Sequence, residues 1–197
     1  MLKELLKNKE IILASGSPRR HQFFKDLDIP FKADVRPVKE VHPDYLQKEE
    51  ITDFLAQLKA EAFQKELKKD QILITSDTIV YNEGNAMGKP ETAPEAKEML
   101  RSLSSKTHSV FTSVCFTTHN HQSTVNCETR VSFKELTTGE IDYYVENFKP
   151  FDKAGGYAIQ EWIGLIGITN LEGSYFNVVG LPTHLVYNEL INLASIQ

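Results

Sequence analysis

The chain has 197 residues, 41% of them hydrophobic and 25% charged, enough apolar material for the core of a globular protein. Its net charge of −5 argues against nucleic-acid binding driven by overall charge, and an acidic chain with one concentrated basic site suits a small anionic ligand better. No apolar run approaches membrane-spanning length, and the lysine-rich start over residues 1–9 lacks the apolar centre of a signal peptide or anchor.

In chain order, residues 10–14 read as a strand and 18–27 as a helix, followed by a strand over 31–35. A helix over 51–67 carries Ile51, Phe54, Leu55, Leu58 and Ala62 on one apolar face. A strand over 71–81 and a helix over 94–103 come next. Strands over 107–118 and 123–136 flank His119-Asn120-His121-Gln122, a plausible hairpin connection. The helix over 140–148 opens with Thr137-Thr138-Gly139-Glu140, the spacing of a capping box. Strand patterns at 164–169 and 174–179 precede a last helix over 183–193. Early alternation of helix and strand, then long antiparallel strands, predicts an α/β fold with a mixed sheet. In a simple hairpin register Cys115 pairs nearer Thr124 than Cys127, so two free thiols are expected, which suits a reducing cytoplasm. No Cys/His spacing suggests structural zinc.

Several residues carry chemistry beyond packing. Leu13 to Arg20 reads Leu-Ala-Ser-Gly-Ser-Pro-Arg-Arg. Ser17 is placed as an N-cap with Pro18 at the first helical position, so Arg19 and Arg20 fall in the first turn. Two cations there oppose the helix dipole. The arrangement makes sense if an anion sits among the free amides, the Ser15 and Ser17 hydroxyls and the two guanidinium groups. In Ile72 to Tyr81 the run is apolar and β-branched except around Asp77. A carboxylate in a buried strand must be paired, bind metal or shift its pKa, so Asp77 is the best candidate for a general base or metal ligand. The competing reading ends the strand at Ser76 and makes Asp77-Thr78 a turn.

Lys59 borders the apolar face of its helix, where most lysines reach into solvent and a minority bind phosphate. Lys89 lies in the punctuated loop Gly88-Lys89-Pro90, a type of loop that often presents one functional side chain. Asp152 to Gln160 reads Asp-Lys-Ala-Gly-Gly-Tyr-Ala-Ile-Gln. Its glycines permit close backbone approach, Tyr157 could pack on a base, and Gln160 has a donor and an acceptor suited to a base edge. Glu40 is a candidate second metal carboxylate. Walker, dinucleotide and nucleophile-elbow motifs are absent, so phosphate handling would use another architecture.

These segments together resemble the Maf family of nucleoside triphosphate pyrophosphatases. The matching motifs are Leu13 to Arg20, Lys59 with Ala60, Ser76 to Val80, Gly88-Lys-Pro90, Ser104 to Ser109, Asp152 to Gln160, and Val179 to Pro182, in the family's order and over nearly the whole chain. The resemblance implies one domain over residues 1–197, in two lobes around a central cleft, like inosine triphosphate pyrophosphatases. It implies hydrolysis of a nucleoside triphosphate to monophosphate and pyrophosphate with a divalent cation, magnesium or alternatively manganese. Tyr157-Ala-Ile-Gln160 resembles the branch acting on dTTP and UTP. By motif, Asp77 takes the catalytic base position and Arg19, Thr78 and Gln160 the specificity positions. Ser15, Arg20, Lys59 and Lys89 take phosphate-binding positions, and Glu40, placed by spacing from Arg20, shares the metal with Asp77. Two residues depart from the family pattern: Ser76 stands where Ala is usual, and Glu161 where Gly is usual.

A small-molecule nucleotide, with no nucleic acid or membrane, is the expected partner, the location is cytoplasmic, and a homodimer is left open. The alternative function is a nucleotide-binding regulator of septum formation with little catalysis. That role needs the basic site but not a buried Asp77, so Asp77 favours the enzyme.

Overall fold

A computed structural model of the chain describes residues 2–63 and 66–195. Its elements in order are α1 (Leu2–Leu5), β1 (Glu10–Leu13), α2 (Pro18–Asp26), β2 (Lys32–Ala33), α3 (Glu49–Glu61), β3 (Gln71–Asn82), β4 (Asn85–Met87) and α4 (Ala93–Leu103). There follow β5 (Thr107–Thr117), β6 (Gln122–Phe133), α5 (Thr138–Phe148), a short 3-10 turn (Ala154–Gly156), α6 (Trp162–Gly167), β7 (Ile168–Glu172), α7 (Tyr175–Val179) and α8 (Thr183–Ser195). The strands are ordered β2-β1-β3-β5-β6-β7, with β4 paired to β3. β1 runs parallel to β2 and β3, whereas β3–β4 and β6–β7 are antiparallel, so the expected mixed α/β sheet is present.

The chain divides into two compact units, residues 1–77, 112–127 and 180–197 in the first and 78–111 and 128–179 in the second. In the first unit, strand alternation sorts side chains between two layers. Ile11, Leu13, Ile72, Ile74, Val114 and Phe116 join one core with Phe24 of α2 and Val186, Leu190 and Leu193 of α8. The intervening Ile12, Leu73 and Cys115 join the other, with Ala56 and Ala60 of α3. Thr75 keeps to this second face and donates to the Ala56 carbonyl at 2.7 Å. In the second unit, Leu100 and Leu103 of α4 and Ile141, Tyr144 and Val145 of α5 bury a separate core with Val131 and Phe133 of β6.

Four expectations change. The buried face of α3 is Ile51, Thr52, Leu55, Ala56 and Ala60, and the helix ends at Glu61; Phe54 and Leu58 are only half-buried and Ala62 is exposed. Small alanines face the sheet because they allow close approach, and Thr52 is tolerated there through a 2.6 Å hydrogen bond with Ser113. Residues 164–169 are mostly helical, in α6, with strand only from Ile168. Residues 174–179 form the α7 turn of helix rather than a strand. Strand β6 ends at Phe133, three residues short of the pattern's end at Leu136. Ser17 does cap α2 with Pro18 at its start, and Thr137 and Glu140 form the full capping box of α5. Cys115 and Cys127 are free, and Cys115 hydrogen-bonds to Thr124.

Candidate active site

Strand β3 continues through residue 77, so Asp77 is a mid-strand residue and not part of a turn. Two-residue periodicity sets it on the face of Leu73 and Thr75, toward α3. Lys59 lies three residues beyond Ala56, the residue whose carbonyl receives Thr75, and therefore one helical turn along the same face. Its ammonium donates to Asp77 Oδ1 at 2.6 Å and lies 3.2 Å from Glu40 Oε1. Asp77 is 7% exposed, and this pairing gives the buried carboxylate a directly hydrogen-bonded cation. Glu40 is exposed and comes from the irregular segment after β2.

The opposite face of β3 meets α2. Arg20 is half-buried; its Nε donates to the Gly180 carbonyl at 2.8 Å and Nη1 to the Ser76 carbonyl at 3.0 Å. Nη1 also lies 3.5 Å from Ser15 Oγ. Desolvation pulls the Arg20 guanidinium below its ordinary value, while the charges of Asp77 and Glu40 oppose that fall. The Ser15 hydroxyl accepts from the Ser17 amide at 3.2 Å, and His21 holds the Ser15 carbonyl at 2.5 Å. The loop before α2 is thus braced from within, with no acidic residue in the first turn of the helix. Arg19 is half-buried beside Arg20.

The first unit therefore brings together Ser15, Arg20, Glu40, Lys59 and Asp77. Thr78, Lys89 and Gln160 belong to the second unit. Thr78 is half-buried; Lys89 and Gln160 are exposed. Gly155 ties their segments together. Its amide donates to the Gly88 carbonyl at 2.9 Å, and a Cβ on it would lie 2.7 Å from Val80 Cγ2, so only glycine fits there. Its φ of +67° makes the same demand.

Tyr157 does not present its ring as a base platform. It is 5% exposed, stacks edge-on against Phe133 and hydrogen-bonds to His108 Nε2 at 2.7 Å. Burial pushes the His108 imidazole down to about 4, so it stays neutral near pH 7. His108, Lys153 and Tyr144 join this region without standing out as candidates in the sequence. The first two stand inside the quoted motifs, which was their only signal, and Tyr144 had none.

Asp77 and Glu40 converge on one ammonium, a donor set that fits a magnesium-type cation held by one or two carboxylates together with phosphate oxygens. Among the described residues no group of three or more His, Cys, Asp and Glu side chains is placed to hold a metal ion. The Ser76 hydroxyl beside Asp77 is buried with no hydrogen-bond partner among the described residues.

A buried carboxylate clamped by lysine, next to a braced helix start bearing two arginines, defines an α/β protein equipped to handle a polyanion. Residues 10–193 match the Maf-like protein family, and the chain belongs to that family. A dTTP/UTP pyrophosphatase of Christiangramia forsetii is 70% identical over 190 residues, 96% of this chain and 97% of the relative. One of Flavobacterium johnsoniae is 54% identical over 193 residues, 98% of this chain and 100% of the relative. Among solved structures, the Staphylococcus aureus Ham1 protein aligns with TM-score 0.47 at 18% identity over 64% of this chain and 72% of that one. No helix among the described residues is long and apolar enough to cross a membrane.

Proposed function

We propose that the chain is a nucleoside triphosphate pyrophosphatase acting on dTTP and UTP. The relatives that match nearly its full length carry that activity in their names. The observation in this chain that carries the reading is the mid-strand Asp77, held by Lys59 beside Glu40.

In the reaction, a water oxygen forms a bond to the α-phosphorus and the bond to the β-phosphate bridging oxygen breaks. Nucleoside monophosphate and pyrophosphate leave. Asp77 orients the water and takes its proton, or holds the cation that activates that water. Lys59 fixes the rotamer of Asp77 so that the carboxylate is aimed before substrate arrives. Arg19, Lys89 and the braced Ser15 loop bind the triphosphate, with Arg20 holding that loop to β3 through the Ser76 carbonyl. Lys59 adds its charge to the same phosphate chain. A divalent cation held by Asp77 and Glu40, magnesium first and manganese second, would neutralise charge on the phosphate oxygens. Thr78 and Gln160 read the pyrimidine edge. The reading includes a free nucleotide as partner and a cytoplasmic location.

The test is Asp77→Asn, with turnover and nucleotide binding measured separately. The expected result is a loss of turnover of at least ~10²-fold with binding retained. Near-normal turnover would remove Asp77 from the chemistry. Binding without turnover in the unmodified chain would favour a nucleotide-binding regulator.

A further inference from the structure

Gln160 is exposed, but the segment carrying it is not free. Tyr157, Ala158 and Ile159, immediately before it, are buried. Glu161, immediately after it, turns its carboxylate inward. Tyr144 of α5 is fully buried, and its hydroxyl donates to Glu161 Oε2 at 2.5 Å while accepting from the Ala158 amide at 3.1 Å. Lys153, whose side chain is 9% exposed, stands 3.3 Å from Glu161 Oε1 and 2.6 Å from Asp152 Oδ1. The Lys153–Glu161 pair therefore closes residues 153–161 into a ring, and Tyr144 straps that ring to α5. Burial and the Glu161 carboxylate push the Tyr144 phenol above its ordinary value, which keeps it a donor. A Cβ on Gly164 would fall 1.9 Å from the Ile159 carbonyl oxygen, so α6 closes the far side of the same loop.

We propose that Glu161, with Tyr144 and Lys153, is a positioning device that sets nucleobase choice by fixing the reach of Gln160. The inference rests on Gln160 reading the base, as proposed above. The side-chain amide of glutamine matches an adjacent carbonyl acceptor and ring N–H donor. Thymine and uracil present O4 and N3–H in that arrangement. Guanine presents the same pair, O6 and N1–H, on a longer base. The two positions that Gln160 pairs with therefore do not separate thymine from guanine; the next edge atom, O2 in thymine and the N2 amino group in guanine, offers one distinction to another residue, and the distance from the Gln160 backbone offers one to Gln160 itself. A loop pinned on both sides of Gln160 supplies a fixed distance; a loosened loop lets the longer base in. Buried polar groups that are fully paired hold such a geometry tightly.

The experiment measures binding of the α,β-methylene analogues of dTTP and dGTP to the full chain by calorimetry, in magnesium. It compares the unmodified protein with Glu161→Gln, Glu161→Ala and Tyr144→Phe, and records thermal unfolding of each. The thymine-to-guanine affinity ratio falls about tenfold in Glu161→Ala and Tyr144→Phe, the size of one lost hydrogen bond to a charged group. Glu161→Gln keeps the acceptor for Tyr144 and retains an intermediate ratio. Variants that unfold at lower temperature with an unchanged ratio overturn the proposal and leave the pyrophosphatase reading standing. An unmodified protein that binds both analogues equally overturns the base-reading role of Gln160, and this inference with it.

Discussion

Lys59 of α3 reaches the mid-strand carboxylate of Asp77 at 2.6 Å, and the two side chains are only 18% and 10% exposed. The pair is the shortest ion-pair contact of Lys59, whose ammonium also lies 3.2 Å from Glu40 Oε1. Lys59→Met should destabilise the chain by about 3 kcal/mol, because it leaves a desolvated carboxylate without the cation hydrogen-bonded to it. Adding Asp77→Asn should recover at least ~1 kcal/mol of that loss. Urea unfolding of the two single variants and the double variant gives the coupling. Additive losses would show that the pair is not a working ion pair.

Arg20 bonds two backbone carbonyls from different segments, those of Gly180 and Ser76, through separate nitrogens of one plane. A lysine has one nitrogen and no fixed fork, so Arg20→Lys is not conservative here. It should lower stability by ~1–2 kcal/mol, and turnover should fall as the Ser15 loop loses its tether to β3. Calorimetric unfolding and pyrophosphate release check the two parts. Unchanged values in both would show that the bridging is incidental.

Glycine at 164 is a steric requirement, with a would-be Cβ only 1.9 Å from the Ile159 carbonyl oxygen. Gly164→Ala should destabilise by about 3 kcal/mol or more, since backbone must move to admit the methyl. Gly139→Ala, where nothing lies within 4 Å, is the control and should change stability by less than ~0.5 kcal/mol. Equal denaturation midpoints for the two variants would contradict the packing of α6 on this loop.

His108 makes stability acid-sensitive. Its imidazole is driven down to about 4 by burial, while the unfolded chain titrates near the ordinary value of 6.5. Between those values the unfolded state binds the extra proton. Unfolding free energy therefore falls as pH drops from 6.5 toward 4, by at most ~1.4 kcal/mol per pH unit from this group. Above 6.5 its contribution is constant. His108→Gln should flatten that part of the curve, measured as denaturation midpoint against pH. An unaltered slope would mean that other groups set it.

Much of the first unit was legible because its signals are local. Ser17-Pro18 marks a helix start whatever surrounds it, and Ile72 to Ile74 spells a buried strand that carries Asp77 to the α3 face. Lys59 as the partner of Asp77 was not legible, because the pairing depends on how α3 lies on the strands. Gly164 to Thr169 looks like strand, yet residues 162–167 turn as helix, with Gly164 close against the Ile159 carbonyl and Gly167 against Phe133. There tertiary packing overrides propensity. Glu161 was legible only as an odd residue beside Gln160; its inward turn to Tyr144 and Lys153 rests on a contact with α5 that no spacing encodes.

The most direct measurement is pyrophosphate release from dTTP, UTP, ATP and GTP, each with magnesium and with a chelator. The expected result is release from dTTP and UTP in magnesium, little from ATP or GTP, and none in chelator. Release from purine nucleotides in preference to pyrimidines would contradict the role given to Thr78 and Gln160. No release from any of the four, with nucleotide still bound, would contradict the enzyme itself.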